Sequence, residues 1–259
     1  MRRAAGCVGV LAVVMMAVQG NARGAMIYWT DPDAAKIQRF DTEGLGKIED
    51  VLTRAEGLIE PRGIALDVAG GKMYWADNGA DRIRRANLDG SGAEDVISSG
   101  LSFPADLALD TQGGKIYWAD RDANAIRRAN LDGSGVETVR SGVVQPYFMT
   151  LDVMGGKVYW SDFDSGSIHR ANLDGTGVVE NVITGLDRVR DIGLDLAGGM
   201  MYWGDRDTHK IQRKRLDGTG GVEDLYNAAD GLDRPHGLAL DGEAGRIYWT
   251  DTQMHSVRW

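Results

Sequence analysis

Cysteine is almost missing from this chain: Cys7 is its one copy. Structural disulfides are therefore excluded, and a fold that needs them is excluded with them. Catalytic motifs are equally scarce. There is no Gly-x-Ser-x-Gly elbow and no phosphate loop. The four histidines, His169, His209, His236 and His255, show no metalloprotease spacing. The Asp-Gly-Ser-Gly turns echo half of a calcium loop but lack its closing glutamate. Positive charge is in deficit, 29 basic against 38 acidic residues, for a net charge of −9. That balance disfavours nucleic acid as partner, since phosphate binding asks for a basic surface. The longest apolar run, Ala4 to Val18, is fifteen residues. A membrane-spanning helix needs about 20. Beyond residue 22 no stretch sustains a 3.6-residue apolar period, so helix has little support.

What is present is repetition. Ile27-Tyr28-Trp29-Thr30-Asp31 recurs as Tyr74-Trp75-Ala76-Asp77, Tyr117-Trp118-Ala119-Asp120, Tyr159-Trp160-Ser161-Asp162, Tyr202-Trp203-Gly204-Asp205 and Tyr248-Trp249-Thr250-Asp251. The spacing stays between 42 and 46 residues, a period that marks a repeat architecture. One repeat, Pro61 to Gly100, reads as four strands: Gly63–Asp67, Lys72–Asp77, Arg82–Asn87 and Glu94–Ser98. Ala69-Gly70-Gly71 and Asp89-Gly90-Ser91-Gly92 supply the turns. Six such units predict an all-β fold, a six-bladed β-propeller of four-stranded antiparallel blades. Neighbouring strand residues point to opposite faces. The Tyr-Trp pair therefore predicts a blade covered on both sides.

The repeats resemble the YWTD, or class B, repeats of low-density-lipoprotein receptors, from residue 26 to the end of the chain. The motifs that carry the resemblance are Tyr-Trp-x-Asp six times and the Ile-x-Arg-Ala-Asn-Leu-Asp-Gly block at Ile83–Gly90, Ile126–Gly133 and Ile168–Gly175. The resemblance implies a propeller used for binding, without catalysis. It also implies that Asp31, Asp77, Asp120, Asp162, Asp205 and Asp251 tie backbone at the blade ends. Receptor relatives flank the propeller with cysteine-rich modules, which this sequence lacks. A free-standing propeller of the kind bacteria export is the expectation.

The N-terminus has two readings. Arg2-Arg3, the apolar run and Gly20-Asn21-Ala22 read together as a secretory signal over residues 1–22. Removal would take the net charge to −11, remove Cys7 and leave 23–259 as the propeller, secreted or periplasmic. Alternatively, Met16 to Ala25 aligns with Arg62 to Gly71, so Val18 stands where Ile64 does. Residues 1–22 are then degenerate closing strands, with Val8–Val14 completing the last blade.

Function is expected where the repeats differ, because loops on a rigid scaffold carry it. The Gly-Gly turns and Asp-Gly-x-Gly turns share one face and hardly vary. Asp67, Asp110, Asp152, Asp195 and Asp241 recur there and read as turn caps. The opposite face holds the loops after Tyr-Trp-x-Asp and the strand starts that ring the channel mouth. There Arg62, Phe103, Tyr147, Phe148, Phe163, Arg190 and His236 depart from the repeat. An exposed aromatic cluster rimmed by arginine predicts an interface for a protein or peptide; Phe148 as a channel plug is the alternative. Asp106, Asp191 and His236 could instead converge on a divalent cation, as in a lactonase-like hydrolase, so an enzyme stays open. An architectural envelope role is the third reading. The Arg84-Arg85 and Arg127-Arg128 pairs predict one arginine reaching a neighbouring blade's acid.

Overall fold

The computed structural model describes residues 3–5, 18–19, 25–41, 47–242, 245–254 and 256–258, with side chains from residue 26 onward. Six four-stranded antiparallel sheets follow one another along the chain. Blade 2 comprises Pro61–Asp67, Lys72–Asp77, Arg82–Asn87 and Glu94–Ile97. Blades 3, 4 and 5 repeat that order from Pro104, Pro146 and Val189. In blade 1 the innermost strand is Val18–Gln19, and in blade 6 the outermost is Arg3–Ala5, beside Ser256–Arg258. The stretch Val8–Val14, expected as that outermost strand, lies outside the described residues.

The Tyr-Trp pair dictates how blades join. Tyr28 and Trp75 share one apolar cluster. Tyr74 and Trp118 share the next, then Tyr117 and Trp160, Tyr159 and Trp203, Tyr202 and Trp249, and finally Tyr248 and Trp29. Each tyrosine faces the following blade and each tryptophan the preceding one, because alternate strand residues project to opposite sides. The last pair closes the ring. All six of these indoles are 0 % exposed. Burying a Trp removes roughly 150–250 Å² from water, about 4–6 kcal/mol at most.

In blades 2, 3, 5 and 6 the motif aspartates anchor the segments arriving from the preceding blade. Asp77 accepts the backbone N–H of Glu60 at 2.8 Å, Asp120 that of Ser102 at 2.7 Å and Asp251 that of Asp233 at 2.9 Å. Blade 4 departs: Asp162 holds His169 Nε2 and Ser165 Oγ, each at 2.9 Å. On the opposite face, Asp67, Asp110, Asp152 and Asp195 each accept the N–H of a turn glycine at 2.7–2.8 Å. The arginine pairs bridge differently from expectation. Arg84 pairs with Asp95 and Arg85 with Glu94, acids on the fourth strand of their own blade. The link to the next blade runs instead from Arg85 Nη1 to the Leu131 carbonyl at 3.1 Å. A register shift between Ile83 and Arg84 places each arginine opposite its own acid.

Candidate binding site at the channel mouth

The first strands of blades 2 to 6 are irregular at their starts. The register against the second strand shifts between Pro61 and Ile64, Pro104 and Asp106, Pro146 and Met149, Arg190 and Ile192, and Pro235 and Leu238. Such bulges re-aim side chains. Here they turn Arg62, Tyr147, Phe148, Arg190 and His236 toward the channel mouth.

All seven residues singled out from the sequence meet there. Ala105, Tyr147, Phe148, Phe103 and Phe163 form one cluster. The Tyr147 ring lies 4.9 Å from those of both Phe148 and Phe163. Phe148 meets His236 edge-on at 5.3 Å. Arg62 donates to the Tyr147 hydroxyl at 2.8 Å and lies over Phe103. Arg190 lies over Phe163 and Tyr147, 5.2 and 5.6 Å from the ring centres. Phe103 takes a left-handed backbone, φ 60°, uncommon for a bulky residue and a sign of local constraint.

Two features differ from expectation. Tyr147 and Phe148 are buried, 6 % and 3 % exposed, so they are not an exposed anchor, and the burial of Phe148 agrees with its alternative reading as a channel plug. Phe103 and Phe163 are half-buried. Two arginines also join the site. Arg121 lies 4.4 Å over Phe163 and 4.6 Å over Phe103, and Arg206 acts electrostatically on both Arg190 and His236. Both follow the motif aspartate directly, the repeat position that Phe163 also occupies.

The charges at the mouth are unequal in their company. Arg62 pairs with Glu60, while Arg121 and Arg206 reach Asp122 and Asp207 at 3.8 and 3.9 Å. Arg190 is 3 % exposed, and its Nε and Nη1 have no hydrogen-bond partner. Burial lowers its pKa to about 10, with Arg206 and Arg188 adding to the effect. It remains a cation at neutral pH. His236 is pushed well below the usual imidazole range by burial and by Arg190, Arg62 and Arg206. It is neutral, and its Nδ1 has no partner.

Asp106, Asp191 and His236 do not assemble a metal centre. Among the described residues no group of three His, Cys, Asp or Glu is arranged to hold an ion. Both carboxylates are committed to backbone. Asp106 accepts from Leu107 and Met149, each at 2.9 Å. Asp191 accepts from Ile192 and Leu238 at 2.8 and 2.7 Å. His236 is packed against Phe148 instead. Burial raises Asp106 to about 7. Burial, then the charge of Asp106, raises Asp191 well above the carboxylate range. Toward the other face the channel widens into a cavity of about 490 Å³, lined by Leu66, Leu109, Leu151, Leu194 and Leu240.

Residues 71–111, one full repeat length, match the sequence model of the low-density lipoprotein receptor repeat class B. The chain is a six-bladed propeller that carries a class B repeat at that stretch. No curated protein matches it significantly in sequence. Among solved structures, the propeller is similar to a chain of a nidogen/laminin complex, with a TM-score of 0.78 and 24 % identity over 90 % of this chain and 87 % of that one. It is also similar to a protein of unknown function from Bacteroides thetaiotaomicron, with a TM-score of 0.78 and 15 % identity over 98 % and 70 % of the two chains. A third similar structure is virginiamycin B lyase from Staphylococcus aureus, with a TM-score of 0.67 and 18 % identity over 94 % and 78 %. At these identities the likeness is one of fold. No helix among the described residues is long and apolar enough to cross a membrane.

Proposed function

We propose that this propeller is a non-catalytic binding module that takes a protein or peptide at its variable-loop face. The supporting observation is the side-chain cluster at the mouth, with a buried Tyr147–Phe148 pair, half-buried Phe103 and Phe163 and four surrounding arginines. Aromatic and arginine side chains dominate protein interfaces energetically. The opposite face repeats the same capped turns from blade to blade and offers no comparable variation. The similar structure from a nidogen/laminin complex agrees with a protein partner.

Immobilised propeller, challenged with proteins of its native extract, tests the reading. Arg121→Ala and Phe163→Ala, on half-buried side chains of the mouth, should each lose the captured partner. Met154→Ser, on a side chain 89 % exposed at the opposite face, should keep it. The reverse pattern would place binding elsewhere.

Export is part of the same proposal. It rests on Arg2-Arg3, the apolar run and Gly20-Asn21-Ala22, and places the protein in the periplasm or outside the cell. Cleavage after Ala22 and retention of Arg3–Ala5 in blade 6 exclude one another. A mature protein beginning at Arg23 supports export by this signal; one beginning at Met1 refutes it.

A further inference from the structure

Arg190 is the anomaly of the mouth. A buried cation normally comes with a counter-ion, because desolvating a charge is expensive unless it is paired and hydrogen-bonded. Its two unpartnered donors, Nε and Nη1, lie on different edges of the planar guanidinium; each makes a two-donor edge with Nη2, and either edge matches a carboxylate bidentately. The two faces over which the guanidinium lies, Tyr147 and Phe163, are ring systems without a carboxylate. Among the described residues no acidic group lies within salt-bridge distance of it. Arg206 and Arg188 add positive charge around the same point and share one acid, Asp207, which offsets part of it, while Arg62 is paired with Glu60. This positive mouth sits on a molecule whose net charge is −9. The local sign therefore opposes the global one and selects an anion.

We infer that the partner presents a carboxylate, carried on a peptide segment, which enters the mouth and pairs with the Arg190 guanidinium beside the Tyr147 and Phe163 rings. This rests on the binding function proposed above and specifies its ligand chemistry. The Phe103 and Phe163 rings cover the apolar part of that segment, and Arg121 and Arg206 flank its acidic neighbours. His236, neutral with a free Nδ1, adds a polar contact that does not compete for the charge. The carboxylate comes from an Asp or Glu side chain or from a chain terminus, two sources of one chemistry.

A random peptide library displayed on phage, selected against the full-length protein, provides the test. Selected peptides should share one acidic position. In synthetic copies measured by calorimetry, Asp→Asn or Glu→Gln at that position should weaken binding at least 30-fold if the side chain is the source. Amidation of the C-terminus should do so if the terminus is. Arg190→Gln should lose the acidic peptide by a similar factor, and should bind the acidic and amide peptides equally. Arg190→Lys should recover part of the preference. A thermal melt of each variant without peptide shows that it folds. Peptides that bind the mouth with no acidic requirement, or that bind Arg190→Gln unchanged, would overturn this inference and leave the binding function standing. No selectable peptide at all, or peptides insensitive to both Arg121→Ala and Phe163→Ala, would overturn the binding function and the inference with it.

Discussion

The carboxylate of Asp106, in blade 3, accepts the backbone N–H of Met149 in blade 4 at 2.9 Å. Asp191 repeats the arrangement two blades on, taking Leu238 of blade 6 at 2.7 Å. Each aspartate thus staples its blade to the next at the axis, and the two are close enough for the charge of Asp106 to raise Asp191.

That pair sets a pH dependence with a defined sign. Both carboxyls hold their protons more tightly folded than unfolded, where the pKa is near 3.8. Below about pH 4 both states are protonated and nothing is gained or lost. Above that only the folded state keeps the proton, for Asp106 until about pH 7, so these groups lower stability as pH rises. Surface carboxylates such as Asp89 and Asp132, held low by Ser91 and Ser134, give the opposite slope in more acidic solution. The comparison is therefore with Asp106→Asn. Urea midpoints between pH 4.5 and 7.5 should fall more steeply for the wild type than for the variant. Parallel profiles would refute the assignment.

Gly63 is required by closeness and not by an unusual φ. A β-carbon there would lie 2.1 Å from Asp106 Oδ1 and 2.5 Å from its Cα. Because the backbone of the neighbouring blade is struck, side-chain movement gives no relief. Gly63→Ala should cost about 3 kcal/mol, at the upper end for overpacking. Gly221→Ala, into open space, should be neutral within about 0.5 kcal/mol. Chemical denaturation of the two variants checks this.

Tyr74 and Trp75 are bonded neighbours that belong to different joints, whereas Tyr74 and Trp118 share one. A double-mutant cycle on Tyr74→Leu and Trp118→Leu should give a coupling of about 0.5–3 kcal/mol. The cycle on Tyr74→Leu and Trp75→Leu should be additive within about 0.5 kcal/mol. Coupling that follows sequence adjacency would contradict the arrangement of the blades.

Arg190 should be a liability in the unliganded protein. Its buried, unpartnered donors belong to a charged group and cost more than the about 1–3 kcal/mol of a neutral one, against about 2 kcal/mol returned by the desolvated ring contacts with Tyr147 and Phe163. Arg190→Met should raise the thermal midpoint by a few degrees. A fall of comparable size would mean the guanidinium is satisfied within the chain.

The architecture was legible because each repeat states it again. Tyr-Trp reports two covered faces, and the glycine turns report the hairpins. The mouth was legible as well, since Tyr147-Phe148 stands where other blades carry Arg62-Gly63 or His236-Gly237. The direction of those side chains was not. It depends on bulges at the strand starts, and these left an expected exposed patch buried. Arg121 and Arg206 carried a usable signal, because they occupy the repeat position of Phe163. The acids of the arginine pairs were misassigned because cross-strand register within a blade depends on an irregularity that composition does not reveal. Asp106 and Asp191, readable from the sequence as metal ligands in the second reading, each accept a backbone amide of the next blade.

Every joint of the ring mates the same tyrosine-bearing side with the same tryptophan-bearing side, including the joint between blades 6 and 1. Such head-to-tail symmetry names no first sheet. Within blades 2 to 5, opening the polypeptide at any connecting segment and fusing the original termini would preserve every contact between sheets. Circularly permuted versions cut before Pro104, Pro146 or Val189 should therefore assemble the same closed ring.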